Sequence, residues 1–113
     1  MIKLTKTYER QEDSYKNESF DITVNGAVVG SADLMTDENS TYIERIDINE
    51  EHRNKGFGTA AIKTISRMYS TVFCAPDNED ARRLYERIGS EMNSEDYNAF
   101  GFAIDQNFGV YEF

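Results

Sequence analysis

At 113 residues the chain fits one domain with a single hydrophobic core, which we expect to span residues 1–113. Its 21 acidic and 12 basic side chains give a formal net charge of −9, which argues against a nucleic-acid partner and favours either an amine-bearing partner or simple solubility. One cysteine and one histidine exclude an internal disulfide and argue against a metal site, and no apolar run reaches the ~20 residues of a membrane span, so we expect a cytoplasmic protein without a membrane partner.

The first part of the chain predicts three strands. Apolar residues alternate along Ile2–Glu9, which indicates a first strand, and the polar stretch from Arg10 to Ser19 indicates a connection. Asn25-Gly26 is a strong hairpin signal because both residues tolerate positive φ, and it lies between predicted strands near 19–24 and 28–35.

The run TYIERIDIN, Thr41 to Asn49, predicts a fourth strand. Ile43 falls on one parity of this run, whereas Ile46 and Ile48 fall on the other. The strand is therefore either buried on both faces or interrupted by a bulge that shifts the alternation by one residue.

A strand, helix, strand unit follows. Apolar residues recur at helical spacing from Gly58 to Tyr69, and the run STVFCA then returns to strand character. A crossover of this length normally sets its flanking strands parallel, so we expect a mixed sheet. Cys74 lies in the apolar second strand, which predicts a small buried side chain rather than a nucleophile.

The last third predicts a second helix and an aromatic tail. The helix has a capping residue at Asp77 or Asn78, acids in its first turn, and Gly89 at its end. The tail indicates two closing strands around Gln106-Asn107.

The start of the first helix, RNKGFGT at residues 53–59, differs from that of the second. It has no obvious capping side chain, it follows Arg53 and Lys55, and it contains Gly56 and Gly58. Free helix amides, the helix dipole and nearby bases favour an anion such as phosphate, and glycines let the backbone approach it. The alternative is a surface helix start that is capped by water and has solvated bases. The residues fit neither the Walker nor the dinucleotide-binding pattern.

The pattern R-x-x-G-x-G directly after a strand resembles that of the GCN5-related N-acetyltransferase family. The segment IERIDINEEHRNKGFGTAA looks like the family's central strand, loop and helix, and NEDARRLYERIG is similar to its second signature. Together the two signatures cover roughly Tyr42 to Gly89. The resemblance implies an α/β fold of the α+β kind, in which two main helices flank a mixed central sheet that binds acyl-CoA.

The resemblance also implies a binding site for acetyl-CoA as co-substrate. In that family, loop amides hold the pyrophosphate and main-chain groups of the central strand pair with the pantetheine arm. Carried over to this chain, the contacts fall on Ile46, Ile48, Arg53, Asn54, Lys55, Gly56, Phe57, Gly58, Thr59 and Asn78. Asn78 is equally suited to capping the second helix.

Two side chains are implied as catalytic. An amine must be neutral to attack a thioester, whereas a lysine-like amine has a pKa near ~10.4, so a base is required. Glu44 stands where several members of the family carry a glutamate base, with Asp47 or a water as alternatives; a solvated carboxylate paired with Arg45 is the competing interpretation. Tyr85 stands at the position of the family's tyrosine acid, although it also lies on the apolar face of its helix.

The chain also departs from the family. Two helices usually separate the first two strands, but Arg10 to Ser19 are too few to form them, and Ser90 replaces a common aromatic residue. We therefore expect an open acceptor side, or one completed by a second subunit of a homodimer or by a bulky substrate.

The expected activity is direct transfer of the acetyl group from acetyl-CoA to a primary amine, either on a small polycation or on a protein lysine or N-terminus. One alternative is a non-catalytic CoA-binding or protein-interaction module on the same scaffold. Another is a general binder of phosphate ligands.

Overall fold

The computed structural model describes residues 2–93 and 108–113, which form a sheet and two α-helices. In the described ranges the strands are β1 (Ile2–Gln11), β2 (Lys16–Val24), β3 (Ala27–Thr36), β4 (Thr41–Ile48), β5 (Val72–Cys74), β6 (Ser90–Glu91) and β7 (Tyr111–Glu112). The helices are α1 (Phe57–Met68) and α2 (Glu79–Ile88), and a single 3-10 turn at Glu50–His52 connects β4 to α1.

The strands form one mixed sheet in the order β1-β2-β3-β4-β5-β7-β6. The pairs β1–β2, β2–β3 and β3–β4 are antiparallel, whereas β4 and β5, on either side of α1, are parallel. The predicted mixed sheet with two main helices is therefore confirmed, as is the parallel crossover.

The polar stretch near the N-terminus was partly misinterpreted. β1 continues to Gln11 and β2 begins at Lys16, so much of the predicted connection belongs to an antiparallel pair joined by residues 12–15. Residues 10–11 and 16–19 are all polar, so no apolar alternation marks them as strand, which explains the error. The expectation that no helices separate the first two strands is confirmed. Asn25 and Gly26 make the predicted turn, with φ of 51° and 85°.

The main hydrophobic core lies between the helices and one face of the sheet. Side chains from both helices pack there against β2, β3, β4 and β5, and α1 contributes Ala61, Ile62 and Ile65. A smaller hydrophobic cluster is formed by strand residues that alternate with those of the main core. It contains Tyr42 and Phe73, whose rings are stacked with centroids 5.4 Å apart. Cys74 is buried in the main core, as predicted.

A carboxylate is also buried at the C-terminal end of α1. Glu18 is only 3% exposed; it accepts a hydrogen bond from the Tyr69 hydroxyl at 3.0 Å and pairs with the Lys6 ammonium at 2.7 Å. Tyr69 directly follows α1, so this cluster ties the end of that helix to β1 and β2. The sequence pattern did not predict it.

The C-terminal residues close the far edge of the sheet. Tyr111 lies between Cys74 and Glu91 through antiparallel pairing on both sides. The predicted turn at Gln106-Asn107 lies outside the described residues. The short strand β6 was not predicted, because two exposed residues carry no usable periodicity.

Candidate acyl-CoA site

A bulge separates the two halves of β4. Asp33 of β3 pairs with Arg45 and the next residue, Leu34, pairs with Ile43, so Glu44 is the extra residue. This explains the change of parity between Ile43 and the isoleucines that follow. The half of β4 before the bulge is also buried on both faces, because Tyr42 and Ile43 pack in different clusters, so both interpretations hold.

β4 and β5 diverge at the same point. Their parallel pairing covers only three positions and ends at Ile43 and Cys74. Beyond it, in the described ranges, no strand pairs with the β5-facing edge of β4 at Ile46 and Ile48. An unpaired strand edge offers main-chain donors and acceptors that an extended ligand can use.

The start of α1 lies next to this edge and is not capped by a side chain. The helix begins at Phe57, one residue before the predicted start, and its N-cap residue Gly56 is left-handed with φ of 81°. The first intrahelical bond runs from the Ala60 amide to the Gly56 carbonyl at 3.0 Å, so the amides of residues 57–59 have no partner within the helix. The first turn carries no acid. The helix start therefore remains electropositive.

A cavity of about 520 Å³ joins the unpaired edge of β4 to this helix start and to α2. Nine of the predicted site residues line it: Ile46, Ile48, Arg53, Asn54, Gly56, Phe57, Gly58, Thr59 and Tyr85. Glu44, Lys55 and Asn78 are not among the lining residues. Ala81 and Leu84 of α2, which pack against the main core, also line the cavity, although the sequence did not predict them as site residues.

Arg53 forms hydrogen bonds that hold the loop between β4 and α1 in place. Its Nε donates to the Ile48 carbonyl at 2.8 Å, and its terminal nitrogen donates to the Asp47 carboxylate at 3.3 Å. The second oxygen of Asp47 lies 3.9 Å from Arg45. Two arginines thus surround Asp47, the alternative candidate for the base.

Glu44 and Asn78 occupy different environments. Glu44 is exposed at the bulge, and neither Arg45 nor any other described residue forms an ion pair with it. Asn78 caps α2, because its Oδ1 accepts a hydrogen bond from the Ala81 amide at 2.9 Å. Of the two predicted capping residues, Asn78 and not Asp77 is therefore the N-cap of α2.

Tyr85 projects from α2 to the place where β4 and β5 part. It is 6% exposed, and its ring packs edge-on against Phe113, with centroids 5.3 Å apart. Its hydroxyl oxygen lies 3.7 Å from the Cys74 sulfur. Burial, and then the neighbouring Cys74, raise the pKa of Tyr85 well above its ordinary value, so the hydroxyl is protonated at neutral pH.

In the part of the chain that the structure describes, no helix is long and apolar enough to cross a bilayer. Residues 2–93 and 108–113 also contain no group of three or more potential metal ligands.

Residues 2–89 match the model of the acetyltransferase (GNAT) family. The match covers more than half of the chain, and the chain therefore belongs to this family. The predicted family and fold are both confirmed.

Solved structures share the fold at low sequence identity. A GNAT acetyltransferase from Elizabethkingia anophelis with acetyl-CoA bound has a TM-score of 0.60 and 18% identity over 85% of this chain and 74% of its own. GCN5 from Tetrahymena has a TM-score of 0.65 and 17% identity over 85% of this chain and 66% of its own. A GNAT acetyltransferase from Staphylococcus aureus has a TM-score of 0.63 and 15% identity over 85% of this chain and 66% of its own. The comparison with curated proteins gave no match.

Proposed function

We propose that this chain is one acyl-CoA-binding domain that transfers the acetyl group of acetyl-CoA directly to a primary amine. The observation that carries the proposal is that the uncapped start of α1 and the unpaired edge of β4 line one cavity. Membership of the family and the acetyl-CoA bound to the Elizabethkingia anophelis neighbour support it.

The start of α1 suits a diphosphate. The amides of Phe57, Gly58 and Thr59 precede the first helical hydrogen bond, and the positive end of the helix dipole adds to their attraction for an anion. Lys55 is exposed beside them and contributes a screened positive charge. Arg53 supports this site indirectly, because its hydrogen bonds hold the loop to β4.

The edge of β4 suits the amide-bearing arm of the same molecule. Main-chain groups near Ile46 and Ile48 can pair with an extended ligand as a neighbouring strand would. This role depends on the backbone, and therefore on the bulge at Glu44 that turns β4 away from β5.

Tyr85 would assist the departure of the thiolate. With ordinary pKa values of ~10 for tyrosine and ~8.5 for a thiol, complete proton transfer is uphill by about 2 kcal/mol. Burial raises the pKa of Tyr85 further, so complete transfer becomes less favourable. A hydrogen bond donated by the neutral hydroxyl to the developing thiolate is the better-supported form of this role.

Glu44 is the better candidate for the base that accepts the proton of the amine, directly or through water. It is exposed at the bulge without an ion-pair partner among the described residues, whereas Asp47 lies between Arg45 and Arg53. The Asp47 carboxylate is therefore already engaged by two guanidinium groups, whereas the Glu44 carboxylate is open to water and to an incoming amine.

The acceptor side favours no single amine. β1 and β2 are joined by residues 12–15 alone, so no helices cover the acceptor there. A small polycation and a protein lysine or N-terminus both fit the net charge of −9. The same openness favours the second candidate function, a CoA-binding or protein-interaction module without turnover.

A panel assay tests the proposal. CoA binding is measured by calorimetry, and acetylation of spermidine, an aminoglycoside and a lysine-containing peptide with a free N-terminus is measured by mass spectrometry. We expect CoA to bind and at least one amine to be acetylated. CoA binding without acetylation of any of them would favour the module, and equal affinity for CoA and simple nucleotides would favour a general phosphate binder.

The Tyr85→Phe variant tests the proposed acid. We expect kcat to fall about tenfold or more, because the hydrogen bond to the leaving group is lost, while the Kd for CoA changes less than twofold. Steady-state kinetics and calorimetry give the two values. An unchanged kcat would remove Tyr85 from the mechanism.

A further inference from the structure

Cys74 contacts both Tyr85 and the end of the paired part of β4. Its sulfur lies 3.3 Å from the Ile43 carbonyl oxygen, 3.8 Å from the Ala75 carbonyl oxygen and 3.7 Å from the Tyr85 hydroxyl oxygen. The single thiol hydrogen can be donated weakly to any of these oxygens or shared between them. Ile43 and Cys74 form the last parallel pair before β4 and β5 diverge. The thiol therefore connects the point of divergence to the hydroxyl of α2.

Two aromatic neighbours hold the ring of Tyr85. Phe113 and Tyr111 pack edge-on against the ring, with centroid distances of 5.3 and 6.4 Å. These contacts fix the plane of the ring, not the direction of the O–H bond. The Cys74 sulfur, by contrast, lies within hydrogen-bonding distance of the Tyr85 oxygen.

We infer that Cys74 is a positioning residue for Tyr85 in the acetyl transfer. A thiol that donates to the Tyr85 oxygen occupies one of its lone pairs, so the hydrogen of the tyrosine is directed away from Cys74. The simultaneous contact with the Ile43 carbonyl fixes the thiol relative to β4. This inference rests on the proposed role of Tyr85 and adds a residue that the sequence assigned to packing alone.

The thiol is suited to donating and unsuited to attacking. Cys74 is 3% exposed, and burial raises its pKa to about 12, so the sulfur keeps its proton at neutral pH. An alanine at this position fills less of the core and has no donor, a valine fills the core without a donor, and a serine keeps a donor.

Kinetics of a double-mutant cycle separate positioning from packing. Cys74→Ala, Cys74→Val and Cys74→Ser are each made alone and combined with Tyr85→Phe, and kcat and KM for acetyl-CoA are measured with the panel amine that reacts fastest. We expect the Ala and Val variants to lower kcat about fivefold with KM changed less than twofold, and the Ser variant to keep at least half of kcat. In the Tyr85→Phe background, none of them lowers kcat further.

Two kinetic results would overturn the inference. One is an unchanged kcat in both Cys74→Ala and Cys74→Val; the other is a loss of the same size whether or not Tyr85 is present. If thermal melting shows that one of these two variants does not fold, the double-mutant cycle is measured with the other. If kcat is unchanged in Tyr85→Phe alone, the proposed role of the tyrosine is refuted. If Tyr85→Phe lowers kcat but the Cys74 substitutions do not, only the positioning role of Cys74 is refuted.

Infrared spectroscopy supplies a test that needs no turnover. The chain has a single cysteine, so its S–H stretching band reports on Cys74 alone. We expect Tyr85→Phe to shift this band, because the thiol hydrogen loses the tyrosine as an acceptor and passes to the Ile43 or Ala75 carbonyl, while Tyr8→Phe, at an exposed position, leaves it unchanged. A band that does not respond to Tyr85→Phe would overturn the inference.

Discussion

The two helices begin in opposite ways. At α2 the side chain of Asn78 accepts a hydrogen bond from the Ala81 amide, and acids occupy the first turn. At α1 the N-cap is Gly56, no side chain caps the helix, and the first turn has no acid. One helix start is therefore capped by the chain itself, whereas the other is open to an external anion.

The largest expected effect comes from giving α1 the acid that it lacks. A Cβ added at Gly58 would meet only the Ile48 side chain, at 3.8 Å, so Gly58→Asp fits the site. We expect CoA binding to weaken at least about 100-fold, near 2.7 kcal/mol, because a carboxylate competes for the helix start and repels the diphosphate. The same substitution should stabilise α1 by about 0.3–1 kcal/mol.

Calorimetry and thermal unfolding measure these two opposite effects. Glu79→Gln, which removes an acid from the first turn of α2, is the matched control and should leave the Kd for CoA unchanged. If Gly58→Asp bound CoA like the wild type, the two helix starts would not differ in function.

The second effect concerns the other end of α1. Because its start is open, α1 depends on Tyr69, whose hydroxyl donates to buried Glu18 at 3.0 Å. Tyr69→Phe should lower the free energy of unfolding by about 1–3 kcal/mol at pH 8, since a buried carboxylate loses a donor, and should leave CoA binding unchanged.

The difference in unfolding free energy between Tyr69→Phe and the wild type should depend on pH. Burial, and then the charge of Glu18, raise the pKa of Tyr69 to about 12, above its ordinary value of 10.0. The stabilisation by the tyrosine is therefore fully present below pH 10 and is lost as the pH rises toward 12. Denaturant unfolding at pH 8 and pH 11 should show a smaller gap between Tyr69→Phe and wild type at the higher pH; a constant gap would contradict this assignment. Tyr8→Phe, at an exposed position, serves as the control.

Removing the side-chain cap of α2 should change stability least. Asn78→Ala should lower the free energy of unfolding by about 1 kcal/mol, and Asn78→Asp should restore it, because aspartate also caps helices. If Asn78 also contacts the cofactor arm through its amide, Asn78→Asp will be stable yet bind CoA more weakly. Wild-type stability of Asn78→Ala in denaturant unfolding would show that α2 does not rely on this side chain.

The sequence predicted the features that depend on nearby residues. Asn25-Gly26 specifies its turn by local φ preferences, and the parity change after Ile43 indicated either a bulge or burial on both faces. The unequal starts of α1 and α2 were also predictable, since capping involves side chains within three residues of the helix start.

Features built by distant residues were not predictable in this way. Glu18 pairs with Tyr69, 51 residues away, and nothing in its own segment indicates burial. The contact between Cys74 and Tyr85 requires β5 and α2 to meet at the divergence of β4. The contacts of Arg53 with the Ile48 carbonyl and the Asp47 carboxylate were also not predicted, although both partners are near in the chain.

The four-residue tip between β1 and β2 has a consequence for engineering. Residues 12–15 contribute nothing to the lining of the cavity, and the pairing of β1 with β2 fixes their position independently of the tip. Doubling the length of a flexible loop costs only about 0.6 kcal/mol in closure entropy. The tip is thus a natural insertion point, where a recognition peptide could be grafted while the rest of the sheet keeps its strand registers.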